Sequence, residues 1–142
     1  MACPYFVPRE ILNDGSWQHP TRLPLGAGWS GECCAGAQTT TPDTAVLRDS
    51  CNLGNAAACP HLPADRDWDA VRFSIASTSL DQITFWYVCE RRHAPVEHGK
   101  LTFNLAGGTC RNPHPDARVQ RLAVSFLEAW QMRQAPTEGQ ND

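Results

Sequence analysis

The chain has 142 residues, and its 12 basic and 15 acidic side chains leave a net charge of −3. This length fits one compact unit with a modest core, and the acidic balance offers no positive field for nucleic acid or anionic lipid. No apolar run approaches the roughly 18 residues of a membrane-spanning helix. The first residues also lack the basic and apolar pattern of a secretion signal. The composition therefore predicts a cytoplasmic protein with neither nucleic-acid nor membrane partners.

Prolines and glycines are frequent throughout residues 1–66. Because both residue types interrupt helices and strands, this part is predicted to be a mostly irregular, loop-rich N-terminal lobe. One helix is expected within it, with Thr41 as N-cap, Pro42 at the first helical position and Gly54 just beyond the end. This helix places Cys51 in its last turn, close to the loop that carries Cys59.

After this lobe, three runs of residues alternate between apolar and polar side chains, which is the period of a half-buried strand. The runs lie around residues 71–75, 83–89 and 101–105. They predict a three-stranded antiparallel meander, with a loop from Arg91 to Gly99 between its second and third strands.

From about Pro115, apolar residues recur at helical spacing, which predicts an amphipathic helix that covers the open face of the meander. The apolar positions are Val119, Leu122, Ala123, Phe126, Leu127 and Trp130. The predicted fold is therefore α+β. Its predicted parts are the cysteine-ligated lobe 1–66, the meander with its C-terminal helix 67–134, and a flexible polar tail 135–142.

The seven cysteines are an odd number, so at least one thiol has no partner in any disulfide scheme. In a reducing compartment such thiols act as ligands, as catalysts or as small buried groups, and thiolates bind soft metals well. The favoured metal ligands are Cys3, Cys51 and Cys59, with Cys33 as the fourth. Its neighbour Cys34 is a substitute for Cys33, because the side chains of adjacent loop residues normally diverge and one of the two should pack or remain spare.

A 4Fe-4S cluster is held by four thiolates, and a proline often follows a ligating cysteine. Pro4 and Pro60 follow two of the four candidates. His61, next in sequence, is a candidate to donate a hydrogen bond to a cluster sulfur. Zn²⁺ is the alternative cofactor, since it accepts the same thiolates as a structural staple, although its sites usually contain cysteines paired two to four residues apart.

The stretch Cys51-Asn52-Leu53-Gly54, followed by Cys59-Pro60-His61 and preceded by the isolated Cys3-Pro4, resembles small uncharacterised bacterial proteins that carry a cubane cluster on dispersed cysteines. In its Cys-Pro steps alone the chain is also similar to ferredoxin-like electron carriers. It departs from them because successive ligands are not separated by two residues. The resemblance covers about the first half of the chain, and it implies a cluster and its ligands but no activity.

A second group of reactive side chains lies in the other half of the chain: Cys89, His93, Glu97, His98, Cys110 and His114. These residue types can chelate a metal, and a thiol beside an imidazole can act as a nucleophile. The alternative is structural, because Cys89 shares a strand face with apolar residues and free cysteine is often buried. His93 and His98 are then solvated loop residues.

Familiar catalytic signatures are missing, including phosphate-binding loops, nucleophile elbows and dinucleotide fingerprints. We therefore assign no catalytic residue and expect an electron carrier or accessory protein rather than an enzyme. The function expected is electron transfer or redox sensing by a small iron-sulfur protein that docks on a larger redox partner. The alternatives are a zinc-stapled interaction module and a small Cys/His-dependent enzyme.

Overall fold

The computed structural model describes residues 1–12, 15, 17–54 and 59–134. This part of the chain is α+β and contains two antiparallel sheets and a long C-terminal helix. None of its helices combines the length and the apolar character needed to cross a bilayer. The predicted tail 135–142 lies outside the described residues.

The smaller sheet pairs strand β1, Phe6–Ile11, with strand β2, Trp29–Cys33. It occupies a stretch that the sequence predicted to be mostly irregular because of its prolines. The register of the two strands shifts between Pro8 and Glu10, which marks a bulge. Proline is tolerated at a bulge, where its missing N–H removes no ladder hydrogen bond, so Pro8 did not prevent a strand.

The predicted helix of this segment is present but begins two residues later than expected. Helix α1, Thr44–Val46, continues as a π-helical stretch, Leu47–Asn52. Asp43 is the N-cap, and its Oδ1 accepts a hydrogen bond from the Val46 N–H at 2.9 Å. Gly54 has a φ of +86° just after the helix, as predicted, because glycine adopts this left-handed conformation without steric cost.

The larger sheet has four strands rather than the predicted three. In spatial order they are β3 (Ala70–Thr78), β4 (Gln82–Arg91), β5 (Ala94–Asn104) and β6 (Thr109–Cys110). Each strand is antiparallel to its neighbour. The two-residue strand β6 is too short to produce a period in the sequence, which explains why it was missed.

The predicted loop from Arg91 to Gly99 is wrong. Strand β5 already begins at Ala94, and only Arg92 and His93 connect it to β4. Both connecting residues have left-handed φ angles, 52° and 66°, as two-residue hairpin turns of type I′ require. Asparagine and glycine usually fill these positions, so an Arg-His pair provides no turn signal in the sequence.

Helix α2, Ala117–Gln134, covers the inner face of the larger sheet, as the sequence predicted. The contact is made largely by aromatic rings. Phe85 on the central strand lies 5.5 Å from the ring of Phe103 and 4.9 Å, edge to face, from the ring of Phe126 on the helix. These three rings provide much of the apolar packing between sheet and helix.

A second apolar cluster joins the N-terminal segment to the sheet and the helix. It includes Phe6 and Trp29 from the smaller sheet, Val71 from β3 and Leu122 from α2. Apolar side chains from both sides of the boundary that the sequence suggested near residue 66 therefore pack in one cluster. That division is not tested by the structure and stays a prediction.

Candidate metal centre

A cavity of about 410 Å³ lies between the N-terminal segment, the end of β2 and the helix that follows. The cysteines that line it are Cys3, Cys33, Cys51 and Cys59. The lining also includes the side chains of Phe6, Thr40, Thr41, Pro42, Asp43, Val46, Ser50 and His61.

Cys3 is positioned by the edge of the larger sheet. Its neighbour Ala2 pairs with Val71 through two backbone hydrogen bonds, of 2.7 and 2.8 Å. The Phe6 N–H then donates to the Cys3 carbonyl at 3.1 Å and closes a turn. Cys3 is therefore buried at a point where the chain is fixed on both sides.

Cys33 is the last residue of β2 and lies opposite Phe6 in the register. Two further backbone hydrogen bonds, of 2.7 and 2.9 Å, join it to Thr40, which also lines the cavity. The next residue, Cys34, donates its N–H to the Tyr5 carbonyl and packs against the apolar cluster. Strand geometry turns successive side chains to opposite sides, so Cys33 and not Cys34 lines the cavity.

Cys51 is held through its neighbour Asn52, which sequence reasoning did not identify. The Asn52 Oδ1 accepts a hydrogen bond from the Trp29 N–H at 2.8 Å, and its Nδ2 donates to the Trp29 carbonyl at 2.9 Å. The same Nδ2 donates to the Leu47 carbonyl at 3.0 Å. The amide thus pairs with β2 as another strand would, and it fixes the last helical turn, with Cys51, against that strand. The sequence carries no signal for this pairing, because Trp29 lies 23 residues away along the chain.

Cys59 begins a short turn that the Leu62 N–H closes on the Cys59 carbonyl at 3.2 Å. It is partly buried, whereas His61 is exposed and lines the same cavity. The structure thus brings the four favoured cysteines and His61 to one cavity. Their roles as cofactor ligands and as hydrogen-bond donor stay predictions.

Burial, together with a smaller contribution from the neighbouring thiols Cys33 and Cys59, raises the pKa of both Cys3 and Cys51 to about 12. Cys33 and Cys59 therefore lie near enough to Cys3 and Cys51 to disfavour the ionised form of these two thiols. Without a cation, Cys3 and Cys51 are therefore neutral at pH 7. A positively charged metal centre would favour their thiolates and compensate for the repulsion.

The distances between the cysteine sulfurs determine which cofactor, Zn²⁺ or a 4Fe-4S cluster, the four thiols can bind. Within residues 1–12, 15, 17–54 and 59–134, no three His, Cys, Asp or Glu side chains are close enough together to hold a single metal ion. Tetrahedral Zn²⁺, with bonds of about 2.3 Å, needs sulfurs about 3.8 Å apart. A cubane binds one thiolate at each of four separate iron atoms and so suits thiols spaced around a cavity. Four thiolates are the ligand type that a 4Fe-4S cluster requires, and that cofactor stays a prediction.

The second group of reactive residues does not assemble around Cys89. This thiol is fully buried between the sheet and α2, and burial, followed by the charges of Glu97 and Asp116, raises its pKa to about 12. A buried neutral thiol is a poor nucleophile, which agrees with the structural alternative. His93 is exposed in the β4–β5 turn, and His98 is exposed on strand β5 rather than in the predicted loop.

His114 is buried, which the sequence did not indicate. Its Nε2 lies 2.6 Å from a Glu97 carboxylate oxygen that also accepts a hydrogen bond from the Tyr87 hydroxyl at 3.1 Å. Its Nδ1 accepts a hydrogen bond from the Asp116 N–H at 2.9 Å. Both ring nitrogens are therefore engaged, and His114 anchors the start of α2. Cys110, on β6, is partly buried against the aromatic cluster.

Comparison of the chain with protein-family models, with curated proteins and with solved structures gives no match. Function is therefore inferred from the chemistry of the four thiols and of the cavity between them.

Proposed function

We propose that this chain is a small iron-sulfur protein that binds a 4Fe-4S cluster in the cavity, through Cys3, Cys33, Cys51 and Cys59. One observation carries the proposal. The four thiols come from the N-terminal segment, the end of β2, the π-helical stretch and a separate turn, and they line a single cavity. Four thiolates are the ligand set of a cubane cluster.

The chemistry of such a cluster favours electron transfer or redox sensing. A cubane with four thiolate ligands changes its charge by one electron, and its potential depends on burial and on hydrogen bonds to its sulfurs. Cys3 and Cys51 are buried, whereas Cys59 is partly buried and is followed by the exposed Pro60 and His61. The turn at Cys59 is the part of the cavity rim where a larger redox protein would approach the cluster.

Structural zinc is the second candidate, since Zn²⁺ takes the same four thiolates. In that case the metal would staple the N-terminal segment to β2 and to the helix, and the remaining surface would serve protein interaction. The placement of the thiols around a cavity of about 410 Å³ supports the larger cofactor. Metal analysis separates the two candidates directly.

Anaerobic purification followed by iron, sulfide and zinc analysis tests the cofactor. We expect four irons and four sulfides per chain, together with the brown colour of thiolate-to-iron charge transfer. A colourless protein with one bound zinc per chain would replace the proposal with the zinc staple. A protein that binds neither metal after anaerobic reconstitution with iron and sulfide would refute both.

The adjacent cysteines provide a matched pair of variants for the ligand assignment. Cys33→Ser should lower the bound iron and the visible absorption, because it removes a thiol from the cavity. Cys34→Ser should leave both unchanged, since Cys34 does not line the cavity. Loss of colour in Cys34→Ser with full colour in Cys33→Ser would contradict the assignment.

A further inference from the structure

The larger sheet has two edges, and they differ in how far their backbone groups are hydrogen-bonded. Beyond the short strand β6, the side chain of Asn112 covers the edge of β5. Its Nδ2 donates to the Lys100 carbonyl at 2.8 Å, and its Oδ1 accepts from the Thr102 N–H at 2.9 Å. The Arg111 N–H then donates to the Thr102 carbonyl at 2.8 Å. Backbone groups that would otherwise be free on this edge are therefore satisfied.

The opposite edge, along β3, is covered only at its beginning. Ala2 pairs with Val71 there. From Phe73 to Thr78, the outer edge makes no backbone hydrogen bond to any other residue in the described part of the chain. Such an edge presents a row of free N–H and C=O groups, which is a template for another strand.

The side chains of this edge do little to prevent pairing. Lysine, other charged residues and proline commonly protect edge strands, and the stretch from Phe73 to Thr78 contains none of them. Residues 74–80 are all exposed, with 42% of Ile75 and all of Leu80 accessible to solvent. The protective feature that is present is a bulge between Ile75 and Ser77, which increases the local twist.

We propose that the β3 edge of one chain pairs with the β3 edge of a second copy, antiparallel about a two-fold axis. The two four-stranded sheets then form one continuous sheet. A strand that pairs with itself antiparallel satisfies two-fold symmetry, so one surface serves both copies. An uncharged edge brings no like charges together, and pairing would shield the exposed Ile75 from water. This proposal is independent of the cluster.

Sedimentation equilibrium of the full chain, over a series of concentrations, tests the pairing. The mass should rise with concentration from one chain, 15.7 kDa, to twice that value. The double variant Ser74→Lys/Ser77→Lys should remain at the mass of one chain, because the added charges repel across the two-fold axis. The control is Val96→Lys, which adds lysine at an exposed position of β5, two strands away from the β3 edge, and should dimerise as the unmodified chain does.

A charge-swap experiment separates edge pairing from loss of the fold. The variant Ser74→Glu/Ser77→Glu should also stay monomeric alone, yet an equimolar mixture with the lysine variant should recover the dimer mass. Near-ultraviolet circular dichroism should show native packing in each variant. A single-chain mass for the unmodified protein at every concentration would overturn the proposal. A dimer that persists in the lysine variant would overturn it equally.

Discussion

The region around the cavity and the sheet covered by α2 are held together by different interactions. In the sheet, aromatic rings such as those of Phe85, Phe103 and Phe126 pack on one another away from water. Around the cavity, Cys3 and Cys51 belong to an apolar cluster with Phe6 and Trp29, and short backbone pairings together with the Asn52 amide also fix the chain. The region around the cavity is therefore positioned by directional hydrogen bonds in addition to apolar packing.

The comparison extends to two asparagines that perform the same task in different surroundings. Asn52 pairs with the backbone of β2 beside the cavity, and Asn112 pairs with the backbone of β5 at the sheet edge. Asn52 is buried, whereas Asn112 is exposed. Water can replace the Asn112 amide but not the Asn52 amide, so burial determines how much stability each contributes.

The largest effect is expected from breaking the aromatic packing. Phe85→Ala should lower the free energy of unfolding by about 3–5 kcal/mol, because it leaves a cavity beside two other rings. Guanidinium unfolding measures the change. Ile75→Ala is the matched control, since Ile75 lies opposite Phe85 in the register but is 42% exposed, and it should cost less than about 1 kcal/mol. Equal costs would show that the packing around Phe85 is not the main support of the sheet.

Removal of the buried amide should have the next largest effect. Asn52→Ala should destabilise the protein by about 2–4 kcal/mol, because it leaves buried backbone groups of Trp29 without partners. It should also lower the amount of bound iron, since the turn that carries Cys51 is released from β2. Asn112→Ala, the exposed counterpart, should cost about 1 kcal/mol and leave the iron content unchanged. Equal losses in the two variants would contradict the role of burial.

The smallest effect concerns acid stability at the start of α2. Side-chain hydrogen bonds from Arg118 lower the pKa of Asp116. Because the folded pKa is below the unfolded value, near 3.9, this contribution is complete above that pH and is lost as the pH falls through the lowered folded pKa. Asp116→Asn should therefore flatten the decline of stability in acid, and the exposed control Asp65→Asn should not. Thermal melting between neutral and acidic pH measures this, and identical profiles for Asp116→Asn and the unmodified chain would refute it.

Features that depend on local sequence were predicted well. The period of apolar residues located α2, and Gly54 marked the end of the first helix, because helical periodicity and left-handed glycine are properties of short stretches. The β4–β5 turn was missed, since Arg92 and His93 adopt positive φ angles without the residues that usually signal them. Strand β1 was missed because a bulge accommodates Pro8.

At the candidate metal centre, the four cysteines favoured from the sequence are the ones that line the cavity, while their role as ligands stays a prediction. The distinction between Cys33 and Cys34 was beyond sequence reasoning, because it depends on where β2 ends and how it pairs. The Asn52 bridge was likewise hidden, since its partner Trp29 is 23 residues away along the chain. Long-range pairing is a property of the assembled fold rather than of any sequence window.

The backbone pairings beside Cys3, Cys33 and Cys51 have a consequence for how a cofactor would be captured. Each of these thiols belongs to a stretch that other parts of the protein already hold in place. Capture would then cost little conformational entropy, in contrast to zinc fingers, whose ligands become ordered only when the metal arrives. A scaffold of this kind would keep the thiols near one another whether or not a cofactor is bound.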